Sequence, residues 1–138
     1  MKYEIFKYKG FNNVKFGTSR AELHRLLGEP LDSFRKTPFE VFDTDNYNNF
    51  FVYYREPDVV EAFEFFGEID LLYQGYSLLK TSISELFEVF KKIDDNLEID
   101  ETGFVSYENG VSVYLPGWEE NGEMAPESIL IFEKGYYD

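Results

Sequence analysis

The sequence predicts an α+β fold: two helix-plus-antiparallel-strand repeats whose strands form one sheet, with both helices on one face of it. Three observations predict this. Thr18-Ser19-Arg20-Ala21-Glu22-Leu23 recurs 63 residues later as Thr81-Ser82-Ile83-Ser84-Glu85-Leu86, with four of six positions identical. Each copy holds Ser-x-x-Glu, the capping box in which a Ser hydroxyl accepts from a backbone N–H at a helix start. Downstream of each copy lie short runs rich in Phe, Tyr, Val and Ile, the residues that suit a pleated surface. At 138 residues and 43% hydrophobic, the chain is one domain with a real core. The domain is 1–138, with pseudo-repeats of about 11–75 and 76–138.

Taken in order, Tyr3–Tyr8 alternates as an N-terminal strand. A helix spans about 20–27, with Leu23, Leu26 and Leu27 as its apolar stripe; Gly28 and Pro30 stop it. Phe39–Phe42, Phe50–Tyr54 and Val59–Phe66 read as strands, the last two joined by the turn Arg55-Glu56-Pro57-Asp58. Phe50–Tyr54 is apolar on both faces, which makes it a central strand or one under a face still to be covered. Ile69–Tyr73 leads to the second unit. Its helix spans about 83–93: Ile83, Leu86, Val89, Phe90 and Ile93 recur at helical spacing, and Lys91 and Lys92 sit where the dipole favours cations. Leu97–Ile99, Phe104–Tyr107, Val111–Leu115 and Ile129–Phe132 follow as strands, with Asn109-Gly110 as a two-residue hairpin turn. The tail 135–138 is an end strand or part of a contact surface.

Charge narrows the function. The net charge is −14, from 27 acids and 13 bases. Residues 1–36 carry eight bases and four acids, whereas 37–138 carry five bases and 23 acids. Between Lys92 and Lys134 lie eleven acids and no base. Nucleic acid is excluded as a partner, because phosphate binding needs clustered Lys and Arg. No apolar run of about 18 residues is present, so nothing spans a membrane as a helix. The N-terminal residues lack an apolar signal-peptide region, which leads us to expect a cytoplasmic protein. With no Cys and one His, thiolate and multi-His metal sites have no ligands. An acidic surface either aids solubility or speeds encounter with a basic protein.

Chemical motifs are sparse. Asp94-Asp95, Asp100-Glu101 and Glu119-Glu120 are carboxylate pairs, but among 27 acids such pairs arise by chance. Asp43-Thr44-Asp45-Asn46-Tyr47 opens like a calcium loop and then fails, with Asn48 at the Gly position and Tyr54 at the Glu position; it reads as a polar hairpin loop. His24 falls off the Leu stripe and is expected at the surface. There is no nucleophile elbow, no Walker loop and no Gly-x-Gly-x-x-Gly, so no cofactor and no catalytic residue is assigned. Pro116–Pro126 places the only Trp, Trp118, among Glu119, Glu120 and Glu123. Trp118 is either a protein-binding anchor or a lid folded onto the core.

The segment Val14–Pro30, VKFGTSRAELHRLLGEP, resembles the helical unit of small bacterial tandem α/β repeat proteins, with Gly before a capped helix and a Leu-Gly-x-Pro stop. BamE-like outer-membrane assembly lipoproteins and β-lactamase-inhibitory-protein-like repeats carry that unit. The chain is most similar to cytoplasmic immunity proteins of bacterial polymorphic toxin systems, such as those of contact-dependent inhibition. The resemblance covers 17 of 138 residues, and the second copy lacks the Gly and the stop. It implies a non-catalytic, acidic toxin inhibitor that masks the active site of a basic, nuclease-type toxin domain. Trp118, Glu119, Glu120 and Glu123 form the first candidate patch. Asp94, Asp95, Tyr53, Tyr54, Asp58, Glu61 and Glu64 are further partner-binding candidates. The alternatives are a structural or regulatory interaction module acting as a homodimer, and a hydrolase using a carboxylate pair.

Overall fold

The computed structural model describes residues 2–138. It is an α+β structure, mostly sheet, with α1 at Arg20–Leu27 and α2 at Ile83–Ile93. Both helices start where their caps predict. The Ser19 hydroxyl accepts from the Glu22 N–H at 3.1 Å, and Ser82 from the Glu85 N–H at 3.3 Å. Only this half of the first box forms as expected, because the Glu22 carboxylate is taken by Arg25. Gly28 ends α1 at φ 84°, and its N–H donates to the His24 carbonyl at 2.7 Å.

The strands make two sheets, not one. The smaller has five strands: β1 (Lys2–Phe6), β2 (Gly10–Phe11), β3 (Val14–Lys15), β8 (Asp70–Tyr73) and β9 (Tyr76–Ser77), in the order β3-β2-β1-β8-β9. Its β1–β8 pair is parallel, so the segment expected to lead into the second repeat instead returns beside the N-terminal strand. The larger sheet has eight strands and is antiparallel throughout. Following α1 come β4 (Asp32–Phe34), β5 (Thr44–Asn46), β6 (Phe50–Arg55) and β7 (Val59–Phe66). Following α2 come β10 (Glu98–Asp100), β11 (Gly103–Ser106), β12 (Val111–Tyr114) and β13 (Ser128–Phe132). Each group is a meander, and their last strands meet: β13 pairs with β7, Leu130 opposite Glu64.

One face of the large sheet is buried. Phe50, Val52, Val60, Phe63, Phe65, Phe104, Val113 and Ile129 join one core with Leu23 of α1, Leu86 and Phe90 of α2, and Tyr3, Phe11 and Leu71 of the small sheet. Phe11 sits among Phe50, Phe63 and Phe65 with ring centroids 4.9–5.4 Å away at steep angles, the edge-to-face geometry that the ring quadrupole favours.

Two local expectations change. Phe39–Phe42 is loop, with Phe39 92% exposed. Pro38 has no N–H for a ladder, and Arg35 holds the loop through Asp43 at 3.1 Å and the Glu40 carbonyl at 3.0 Å. The pairing strands are its polar flanks, with Ser33 opposite Asp45. Asn109-Gly110 is the second half of a four-residue loop, since Ser106 pairs with Val111. Gly110 has φ 68°, and a Cβ there would lie 2.9 Å from the Tyr8 ring, so a larger residue would be strained and would have to displace that ring. Asn109 turns inward, accepting from Tyr73 OH at 2.6 Å and donating to Ser106 Oγ at 2.8 Å.

Candidate protein-binding face

The other face of the large sheet carries the candidate site. Strand register lines up Asn46, Phe51, Glu64, Leu130, Ser112, Val105 and Glu98, neighbour to neighbour, from β5 to β10. All but Glu98, which is exposed, are half-buried. Tyr53, Ala62 and Phe132 form a small apolar cluster beside this row, with Tyr8 and Tyr136 packed on it. Tyr136 stacks on Phe132 with centroids 5.6 Å apart. The tail is thus neither an end strand nor free: it lies on this face.

A bulge aims a second carboxylate here. Tyr53 pairs with Ala62 but Tyr54 with Val60, which leaves Glu61 unpaired in β7. Glu61 lines a cavity of about 50 Å³ with Glu40, Lys36, Tyr53 and Tyr136. Glu64 lines an adjoining depression of about 160 Å³ with Lys36, Tyr53, Tyr136, Leu130 and Tyr114. Tyr53 OH donates to Glu64. The site is electrostatically acidic. Burial and the nearby carboxylates of Glu133 and Glu40 push the Glu61 carboxyl up, against the smaller pull of Arg55 and Lys36. Burial, then Glu61, Tyr137, Glu64 and Glu40, push the Tyr136 hydroxyl up to about 12. Burial and the hydrogen bond to Glu64 push Tyr53 up further.

The structure brings Tyr53, Glu61 and Glu64 together and scatters the other candidates. Glu119, Glu120 and Glu123 are exposed; the first two border a separate depression of about 310 Å³ beside Glu101. Asp95 is exposed after α2. Trp118 is the core lid, not a surface anchor: it is 7% exposed, donates from Nε1 to the Asp100 carbonyl at 2.8 Å, and packs on Phe87 and Phe104 at 5.1 and 5.9 Å. An indole that size finds more apolar area on the aromatic end of α2 than in water. Trp118→Ala should therefore destabilise the fold by about 3–5 kcal/mol in chemical denaturation. Lost partner binding by a variant that is still folded would restore the anchor reading.

Asp94, another surface candidate, is buried at 7% exposure and accepts from Ser106 Oγ at 2.7 Å, at the end of the Tyr73–Asn109–Ser106 chain. Tyr54 and Asp58 belong to a polar network on the core side. The Arg20 guanidinium lies 3.8 Å above the Tyr54 ring. Its Nε donates to Asp58 at 3.0 Å and its Nη1 to Asp45 at 3.0 Å. Asp45 is fully buried and also accepts from Ser33 Oγ and Tyr54 OH, both at 2.6 Å. His24 Nε2 lies 2.7 Å from Asp45. Burial pushes the Asp45 carboxyl up, but the hydrogen bonds from Ser33, Tyr54 and His24 and the Arg20 charge outweigh it and hold it below its ordinary range. An ionised carboxylate only accepts, so His24 Nε2 carries the proton.

Asp45 and His24 correct two expectations: the polar run is a strand with a buried acid, and His24 is half-buried on it. Nothing in the alternation of 43–47 marks Asp45, because Thr44 and Asn46 beside it are polar too. Nor is the group a nucleophile triad. Ser33 and His24 both bind the same carboxylate, so His24 does not stand between Ser33 and the acid as its base.

Among the described residues no group of three or more His, Cys, Asp or Glu is placed to hold a metal ion, and no helix is long and apolar enough to cross a membrane. Compared with protein-family models, curated proteins and solved structures, the chain matches none.

Proposed function

We propose that the chain is a non-catalytic inhibitor that binds a basic protein on the outward face of the large sheet, as an immunity protein binds its toxin. The observation that carries this is the convergence of Glu61, Glu64, Tyr53 and Tyr136, under a net charge of −14, on the face of the large sheet opposite the main core. Carboxylates there would take the place of substrate phosphates before the toxin's Lys and Arg. Long-range attraction would speed encounter, and the half-buried Phe51, Leu130 and Val105 would lengthen residence. We also read the two helix-plus-meander units as a tandem duplication joined at β7 and β13. Its support is that the same order of helix and four strands occurs twice, after equivalent caps.

A second reading, a hydrolase working through a raised carboxylate, has Glu61 in its favour. The cavity Glu61 lines is about 50 Å³, against roughly 300 Å³ or more for small-molecule sites, so we prefer the binding reading.

The test is carboxylate labelling with a carbodiimide and an amine, with and without the partner captured at low salt. Binding should protect Glu61 and Glu64 and leave Glu119, Glu120 and Glu123 labelled. The opposite pattern would move the interface to the 116–126 loop.

A further inference from the structure

We infer that the Tyr53–Tyr136 depression is a receiving site for one arginine side chain of the partner, and that Lys36 fills it in the unbound chain. This rests on the binding reading above and names the group that reading requires. Lys36 arrives from the loop between β4 and β5, and its Nζ lies 4.2 Å from the centre of the Tyr53 ring. Lys36 borders both cavities, with Glu64 in one and Glu61 and Glu40 in the other. No carboxylate among the described residues comes within 4.0 Å of Lys36, so a ring face and a diffuse acidic field hold it, not an ion pair. Such a contact is weak in water. The loop that carries it is held by Arg35 on Asp43 and the Glu40 carbonyl, but it is exposed from Arg35 to Val41, so swinging the Lys36 side chain off the ring costs little packing.

The other side of the same strand shows which cation suits the chemistry best. Tyr53 and Tyr54 are adjacent and point to opposite faces of the sheet. On the core side, Tyr54 carries an arginine: Arg20 stacks at 3.8 Å while Asp45 and Asp58 bind its edge. On the outward side, Tyr53 presents a ring with Glu61 and Glu64 nearby, and only a lysine rests on it. A planar guanidinium stacks on a ring while its N–H groups reach carboxylates, which an ammonium does less well. An incoming arginine would therefore replace Lys36 with a better-matched cation, and the acids that crowd Glu61 would gain a partner.

Titration of the chain with acetylated, amidated hexa-arginine, read by calorimetry and by the ring resonances of Tyr53 and Tyr136, tests this. Lys36→Ala should bind about fivefold more tightly than the unaltered chain, the scale of one exposed cation–π contact. Lys92→Ala, which removes equal charge from α2, should change affinity less than twofold. Equal gains in both variants would show a general charge effect and overturn the role of Lys36 while leaving the binding face intact. Hexalysine bound as tightly as hexa-arginine would overturn the arginine assignment. Hexa-arginine bound without moving the Tyr53 and Tyr136 resonances would overturn both the receiving site and the face.

Discussion

Asp45→Asn should lower the stability of the fold by about 3 kcal/mol at pH 7, the scale of breaking a buried charge pair from one side. For a chain of this size that is a fall in Tm of roughly 10 °C. The substitution keeps the shape and removes the charge. Arg20 keeps Asp58, but its Nη1, Ser33 and Tyr54 lose the anion that drew them together, and His24 faces a neutral amide. The sign of the pH dependence follows from the direction of the shift. Asp45 is held below the ordinary aspartate range, so its charge stabilises the fold fully above about pH 4 and less as pH falls through the folded value. Urea denaturation of both proteins at pH 7 and at successively lower pH would show the gap narrowing in acid. A gap that keeps its size as the pH falls would mean that packing, not charge, is lost.

Glu61→Lys combined with Glu64→Lys should weaken partner binding at least a hundredfold, about 2.7 kcal/mol. Two acids facing a basic partner become two like charges, and such juxtapositions cost several kcal/mol. Most of the loss should appear as slower association at low salt and shrink as salt is added. The comparison is Glu119→Lys, Glu120→Lys and Glu123→Lys together, which alters the charge more but lies off the sheet. That variant should lose less than tenfold. If it abolished binding while the double variant bound normally, the face would be the wrong one.

Local rules made much of the fold legible. The caps at Ser19 and Ser82 and the stop at Gly28 gave both helices to the residue, because capping is settled within a few residues. β6, β7, β12 and β13 were readable for the same reason: their apolar residues are dense enough to signal a strand. The polar strands β4 and β5 were not, since what fixes them is the buried Asp45 network, made by residues as far apart as Arg20 and Asp58. The two-residue strands β2, β3 and β9 carry no period at all. The parallel β1–β8 pair joins segments about 68 residues apart, and no turn announces it.

At the site, Tyr53, Glu61 and Glu64 were named from charge and aromatic content, but nothing local grouped them. The grouping comes from the Glu61 bulge and from the tail folding Tyr136 onto the sheet. Lys36 was invisible for the opposite reason: in sequence it closes a basic stretch, and only the loop carries it over Tyr53. Trp118 drew attention because it is alone in an acidic loop, yet Phe87 and Phe104 were already waiting for it.

The seam between β7 and β13 also sets an order in time. On the edge that β6 leaves open, residues 62–66 pair with residues 128–132, so during synthesis that edge of β7 stands bare while the whole second unit is made. That edge carries Phe63, Phe65 and Phe66 on a strand of eight residues, long and apolar enough to recruit a neighbouring chain. Ribosomes pausing anywhere in the second half would thus hold a template for aggregation. The late arrival of Ile129 and Ile131 is what turns a sticky half-protein into a closed one.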